Sequence, residues 1–153
     1  MTNRLAKRRR VLQAILAAPL IVRVPGAAAA GRPVEVWKGP GCGCCNDWIA
    51  ILGRAGFAVT AHDTGNAAAR RTAGIDLKFA SCHTAIVDGY GLEGHVPVRE
   101  IVRLLNERPD AIGLAVPGMP IGSPGMEQGT RVEPYTVLLL HRGGTATAYA
   151  TYG

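Results

Sequence analysis

The sequence predicts an α/β domain that opens on a βαβ unit and closes on a β-hairpin. Three observations carry this expectation. Short β-branched segments alternate with segments of helical spacing through the first two thirds of the chain. Gly, Pro or an Asp-Gly pair marks most of the switches between them. The last third changes character: a Gly/Pro/Met-rich loop is followed by two strand-like runs on either side of Arg142-Gly143-Gly144.

Taken in order, Val34-Glu-Val-Trp37 is short and alternating, as a strand should be, and Gly39-Pro40-Gly41 breaks it. A helix is expected over 44–55. Trp48, Leu52 and Ala55 share a face with Ile49 alongside, and Gly56 stands where a C-cap belongs. Residues 57–62 read as a second strand. Asp63 or Thr64 is the expected cap of a helix over about 66–73, rich in Ala and Arg. Residues 84–88 form a third strand ended by Asp88-Gly89, and 90–96 a short fourth. The helix over 97–108 has Pro97 in its first turn, a face of Val98, Ile101, Val102 and Leu105, and Pro109 beyond its end. After the loop over 116–130, strands over 135–141 and 145–152 make the hairpin.

The first residues have a different chemistry. The basic cluster Lys7 to Arg10, the apolar run Val11 to Val22 and the small residues Ala27 to Ala30 follow the plan of an export signal. The expected organisation is therefore a signal over 1–30 and one domain over 31–153. The apolar run is short for a membrane span, so no stable insertion is expected after cleavage; an uncleaved anchor is the alternative. Arg8-Arg9 within the basic cluster resembles a twin-arginine signal, and the general and twin-arginine routes both stay open. The formal net charge of +6 comes from this segment, which holds six of the 17 basic residues and none of the 11 acidic ones. The remainder is neutral and has no interleaved basic and aromatic run. Nucleic acid is excluded as a partner on that basis.

Three of the four cysteines fall within four positions, at Cys42, Cys44 and Cys45. Cys42 and Cys45 make a Cys-x-x-Cys pair after a strand and before a helix, the placement used by thioredoxin-like redox sites. There a helix N-terminus favours a thiolate. Cys44 is superfluous to a dithiol and useful to a metal. Gly43 leaves room for Cys42 and Cys44 to turn to one side, and soft thiolates select Cu(I), Zn(II) or iron–sulfur clusters. In a thioredoxin-like topology the loop facing this one carries Cys82-His83 in the region usual for a cis-proline. The candidate site is therefore four sulfurs and the His83 imidazole, with simple burial of Cys82 as the competing reading. His62, His95 and His141 pair with no thiol in sequence and are assigned surface or locally satisfied roles. Met119 and Met126 are either further copper ligands or a cap, thioether being a Cu(I) ligand, or apolar plugs of the loop.

Spacing removes other sites. Haem attachment needs His after Cys45, where Asn46 stands, and a zinc ribbon needs a second Cys-x-x-Cys. Four cysteines allow three disulfide connectivities, but a bond between the adjacent Cys44 and Cys45 is strained, and a cluster of three is a poor staple set.

The segments WKGPGCGCCNDW, CHTAIVDGYGLEGHVP and VPGMPIGSPGME together resemble the CopG-like copper-resistance proteins, a bacterial exported family long catalogued as a domain of unknown function. The resemblance spans about Val34 to Gly153. It implies a thioredoxin-like sandwich, a periplasmic location and copper binding. Its Cys-x-Cys-Cys motif falls on Cys42, Cys44 and Cys45, and its Cys-His motif on Cys82 and His83.

The functional expectation is a periplasmic copper-binding protein for copper handling or resistance, working beside other periplasmic copper-handling proteins. Bridging thiolates allow more than one Cu(I) ion. No catalytic residue is assigned; if the chain is an enzyme, it is a copper or thiol oxidoreductase. A thioredoxin-type thiol–disulfide oxidoreductase using Cys42 and Cys45 is the first alternative. A structural zinc module, which would leave both methionines dispensable, is the second.

Overall fold

The structure, a computed structural model, describes residues 31–153. The expected export signal lies outside the described residues. The elements are β1 (Pro33–Lys38), α1 (Gly43–Arg54), β2 (Ala58–His62), α2 (Ala67–Thr72), β3 (His83–Val87), β4 (Tyr90–Glu93), α3 (Val98–Glu107), β5 (Gly113–Ala115), β6 (Tyr135–Leu140) and β7 (Ala146–Tyr152). One 3-10 turn, Leu77–Phe79, precedes β3. The α/β class, the βαβ start and the closing hairpin are all present.

The seven strands form a single sheet in the order β2-β1-β3-β4-β5-β6-β7. Its two parallel pairs, β1–β2 and β4–β5, are the pairs joined through α1 and α3. Parallel neighbours need such a crossover, whereas the antiparallel β3–β4 and β6–β7 pairs close through short turns. At the first of these turns Asp88 and Gly89 both take positive φ, 49° and 83°. That is the backbone a two-residue hairpin requires and Asp-Gly tolerates.

Each face of the sheet carries a hydrophobic cluster. The larger cluster joins Val34, Val36, Ala85, Val87, Leu92 and Leu114 to Trp48 and Leu52 of α1 and to Ile101, Leu104 and Leu105 of α3. These helical residues recur at intervals of three and four, so one stripe of each helix lies on the sheet. Each such Leu or Ile contributes roughly 1.5–3 kcal/mol by leaving water. A smaller cluster of Ile75, Phe79, Ala115 and Leu140 sits apart from it. Adjacent Leu114 and Ala115 go to different clusters because successive strand side chains alternate in direction.

Three local expectations are corrected. The cap of α2 is Asn66 rather than Asp63 or Thr64, and its side chain makes no capping bond because it reaches Ser81 and Thr84 instead. Pro97 is the cap of α3 rather than its first helical residue. The strand β5 was not anticipated. At three residues it carries no readable period, and its fit depends on Gly113: a Cβ there would stand 1.8 Å from the Gly91 carbonyl oxygen. No described helix is long and apolar enough to cross a membrane.

Candidate metal centre

Three chain segments meet at one end of the sheet. The strand β1 ends at Lys38, whose register partner on antiparallel β3 is His83, the first residue of that strand. The turn after β1 and the residues before β3 are therefore neighbours, although about forty residues separate them. The hairpin partner β4 then runs back to the same end. Its register pairs Thr84 with Glu93, and Gly94 donates its N–H to the His83 carbonyl at 2.9 Å. Continued one step further, that register sets Cys82 opposite His95.

The first segment supplies Cys42, Cys44 and Cys45. Cys42 is the N-cap of α1, and the other two lie in its first turn. The Cys42 and Cys44 sulfurs are on one side, 3.6 Å apart. The reason differs from the expected one. Gly43 is helical rather than part of an extended loop, and a Cβ at that position would meet nothing within 4 Å. The extended backbone of Cys42 at the N-cap, φ −67° and ψ 99°, sets its sulfur beside that of Cys44 in the first turn. Cys45 is fully buried and joined to Cys42 in a disulfide, while Cys44 and Cys82 are free thiols.

Cys82 completes the set, and the sulfur atoms of Cys42, Cys44, Cys45 and Cys82 all lie within 4.8 Å of one another. Its Sγ is also 3.3 Å from Nδ1 of His83 and 3.1 Å from Nε2 of His95. Cys82, His83 and His95 thus form a second group of donors within 4.8 Å, sharing Cys82 with the first. The expected five residues are together, and a sixth, His95, joins them. Its assignment to a surface or locally satisfied role is corrected: it is fully buried, with one ring nitrogen at the thiol.

The tautomer of His95 follows from its other contact. Nδ1 stands 2.8 Å from the Pro124 carbonyl oxygen, which can only accept, so Nδ1 carries the proton. Nε2 is left with its lone pair toward Cys82. A backbone carbonyl holding one ring nitrogen so that the other can bind a metal is a recurrent arrangement around histidine ligands. The loop over 116–130 therefore serves the site through its backbone. At Gly125, φ is 84°, and a Cβ would lie 2.8 Å from the Cys44 carbonyl oxygen and 2.9 Å from the Trp48 nitrogen. Only glycine lets this loop rest on the first turns of α1. Met119 is 52 % exposed and Met126 half-buried, so Met119 is no core plug.

Trp48 forms the inner wall. Its ring packs on His83 with centroids 4.3 Å apart, and its indole N–H donates to the Val96 carbonyl at 2.9 Å. The remaining histidines stay away from the sulfurs: His62 meets Glu35 at 2.5 Å and His141 meets Thr147 at 3.0 Å.

Burial sets the protonation of the donors. His83 is pushed down to about 3, first by desolvation and then by the nearby His95, and desolvation also lowers His95. Both imidazoles are neutral near pH 7 and can bind a metal without losing a charge-bearing proton. Cys82 moves the other way, up to about 11, because burial and then the neighbouring Cys44 disfavour its thiolate.

A family model described as a protein of unknown function, DUF411, matches residues 79–126. That stretch holds Cys82, His83 and His95 together with the loop that orients them. Two solved structures match along their whole length. One, titled copper resistance protein CopG, form 1, is 45 % identical, with a TM-score of 0.75 over 80 % of this chain and 98 % of that one. Form 2 is 44 % identical, with the same TM-score over 80 % and 99 %. The chain belongs to the CopG family of copper resistance proteins. No curated protein matches it. As a CopG-family chain it presents a sulfur-rich donor set with two neutral imidazoles. Such donors fit a soft ion and suit hard, oxygen-seeking cations poorly.

Proposed function

We propose that the chain is a periplasmic Cu(I)-binding protein acting in copper handling or resistance. One observation carries this reading: four cysteine sulfurs lie within 4.8 Å of one another, and Cys82 among them also touches two buried imidazoles. Soft thiolates with imidazole favour Cu(I), and thiolates that bridge let such a set hold more than one ion. The titles of the two CopG structures support copper as the metal. The β2-β1-β3-β4 half of the sheet, with α1 in its first crossover, supports a thioredoxin-like reading of the scaffold. Met119 and Met126 lie on the loop that supplies Pro124 and are read as a cap over the copper.

The Cys42–Cys45 disulfide bears on the state that binds. A disulfide sulfur is not a thiolate ligand. Reduction of this bond by an external thiol releases two further thiols, so the reduced chain is the form with full capacity. Titration with Cu(I) under reducing conditions, followed by metal analysis, tests the proposal. Binding should be far tighter than in a Cys42/Cys44/Cys45/Cys82→Ser variant; equal binding by the two proteins sinks it.

The same disulfide favours a second reading, thiol–disulfide exchange, with the more accessible Cys42 as the sulfur that meets substrate. Insulin reduction separates the two. Robust turnover that survives removal of Cys44 and Cys82 would support an oxidoreductase, and loss of turnover with those residues would not.

A further inference from the structure

We infer that Glu93 and Arg70 are positioning residues that hold Cys82 at the metal centre. The inference rests on the copper-binding reading above and adds the device that fixes one of its ligands. Glu93 is fully buried at the end of β4, two residues before His95. Its Oε1 accepts from the Ser81 N–H at 2.7 Å and from Nε of Arg70 at 2.8 Å. Its Oε2 accepts from the Thr84 hydroxyl at 2.6 Å. Arg70, itself buried on α2, donates its other branch to the Ser81 carbonyl at 2.9 Å, and Asn66 donates to the same oxygen at 3.1 Å.

The peptide groups on both sides of Ser81 are thus held, the N–H by a carboxylate and the C=O by a guanidinium and an amide. The Ser81 carbonyl belongs to the peptide bond that leads into Cys82. Residues 80–82 are only partly buried, so packing alone does not fix this segment. A buried ion pair is a weak source of net stability, and apolar residues of similar volume often replace one without loss. What the pair supplies here is geometry. His95 follows Glu93 by two residues, just past the end of β4, so one carboxylate ties the Cys82 segment to the other half of its donor group.

The test uses the full chain and the double variant Arg70→Met/Glu93→Leu, which keeps volume and removes the clamp. Cu(I) affinity is measured by competition with a chromophoric chelator, in the wild-type background and with Cys82→Ser. Removing the outer partner of a metal ligand typically costs 10–100-fold in affinity. A loss of about that size is expected with Cys82 present, shrinking to about twofold or less in the Cys82→Ser background. An equal loss in both backgrounds, or no loss in either, overturns the inference. Amide hydrogen exchange of the metal-free protein decides the clamp separately. Exchange at Ser81 should rise at least about tenfold while Ala85 and Val87 in β3 keep their rates; Ser81 rising only in step with them overturns it. A wild-type protein that binds no Cu(I) yet shows the selective Ser81 effect would fail the copper reading and keep the clamp. Should the double variant not fold, Asn66→Ala removes one arm from a partly exposed side chain and carries the same affinity cycle.

Discussion

The thiol of Cys82 stands 3.1 Å from Nε2 of His95, thirteen residues further along the chain. The contact exists because β3 and β4 are a tight hairpin whose register, carried past the strand ends, sets these two residues opposite each other. If the centre binds Cu(I) as proposed, His95 is one of its ligands. Replacing it with Gln should lower Cu(I) affinity at least as much as loss of an outer partner does, about 10–100-fold. His62→Gln and His141→Gln, remote from the sulfurs, should leave it unchanged. Chelator competition on the three variants checks this, and equal affinities would remove His95 from the site.

The loop over 116–130 makes a different prediction. Gly125→Ala puts a methyl group 2.8 Å from the Cys44 carbonyl oxygen at a φ of 84°. The loop must lift from α1, which also loosens the Pro124 carbonyl from His95. The urea midpoint should fall, with a loss of about 1–3 kcal/mol. Unchanged stability would mean that the loop does not rest on the helix in solution.

How much of this was legible beforehand depends on distance along the chain. Cys42, Cys44 and Cys45 announce themselves because their chemistry is local, and Cys82-His83 because the pair precedes a readable strand. His95 was assigned elsewhere because nothing near it in sequence is a thiol. The signal that finds it is arithmetic on the hairpin: once Asp88-Gly89 is taken as a two-residue turn, Cys82 and His95 are opposite. The role of Pro124 had no such signal, since a backbone carbonyl leaves no mark on residue type. Strand β5 was illegible because its identity lies in a close approach between Gly91 and Gly113 rather than in an apolar pattern. The disulfide needed the distance between Cys42 and Cys45, which spacing left as one of several pairings.

Proton release on copper uptake follows from Cys82. With its thiol pushed up to about 11, Cys82 is protonated throughout the neutral range and must lose that proton to bind a metal. Affinity should therefore rise with pH, by about tenfold per pH unit from this group alone. Measured between about pH 6 and 8, the slope for Cys82→Ser should be shallower by about one proton. Identical slopes would contradict the assignment of Cys82 as a ligand.

The buried histidines set the acid limit of the metal-free protein. His83 titrates near 3 in the folded chain and near its ordinary 6.5 when unfolded. Between these values the unfolded state binds the extra proton, so stability is full above about pH 6.5 and falls as pH drops toward 3. His95, lowered in the same direction, adds to the loss. Urea midpoints of the metal-free chain should decline through this window, on the order of a few kcal/mol in all. A conservative His83→Gln variant should show a flatter decline, and a slope equal to wild type would exclude His83 as its source.

The most direct test is X-ray absorption at the copper edge on the reduced, Cu(I)-loaded chain. The account expects a first shell dominated by sulfur with an imidazole component that weakens in His83→Gln and His95→Gln. A shell of nitrogen and oxygen alone, or a spectrum unchanged in the Cys42/Cys44/Cys45/Cys82→Ser variant, would contradict it.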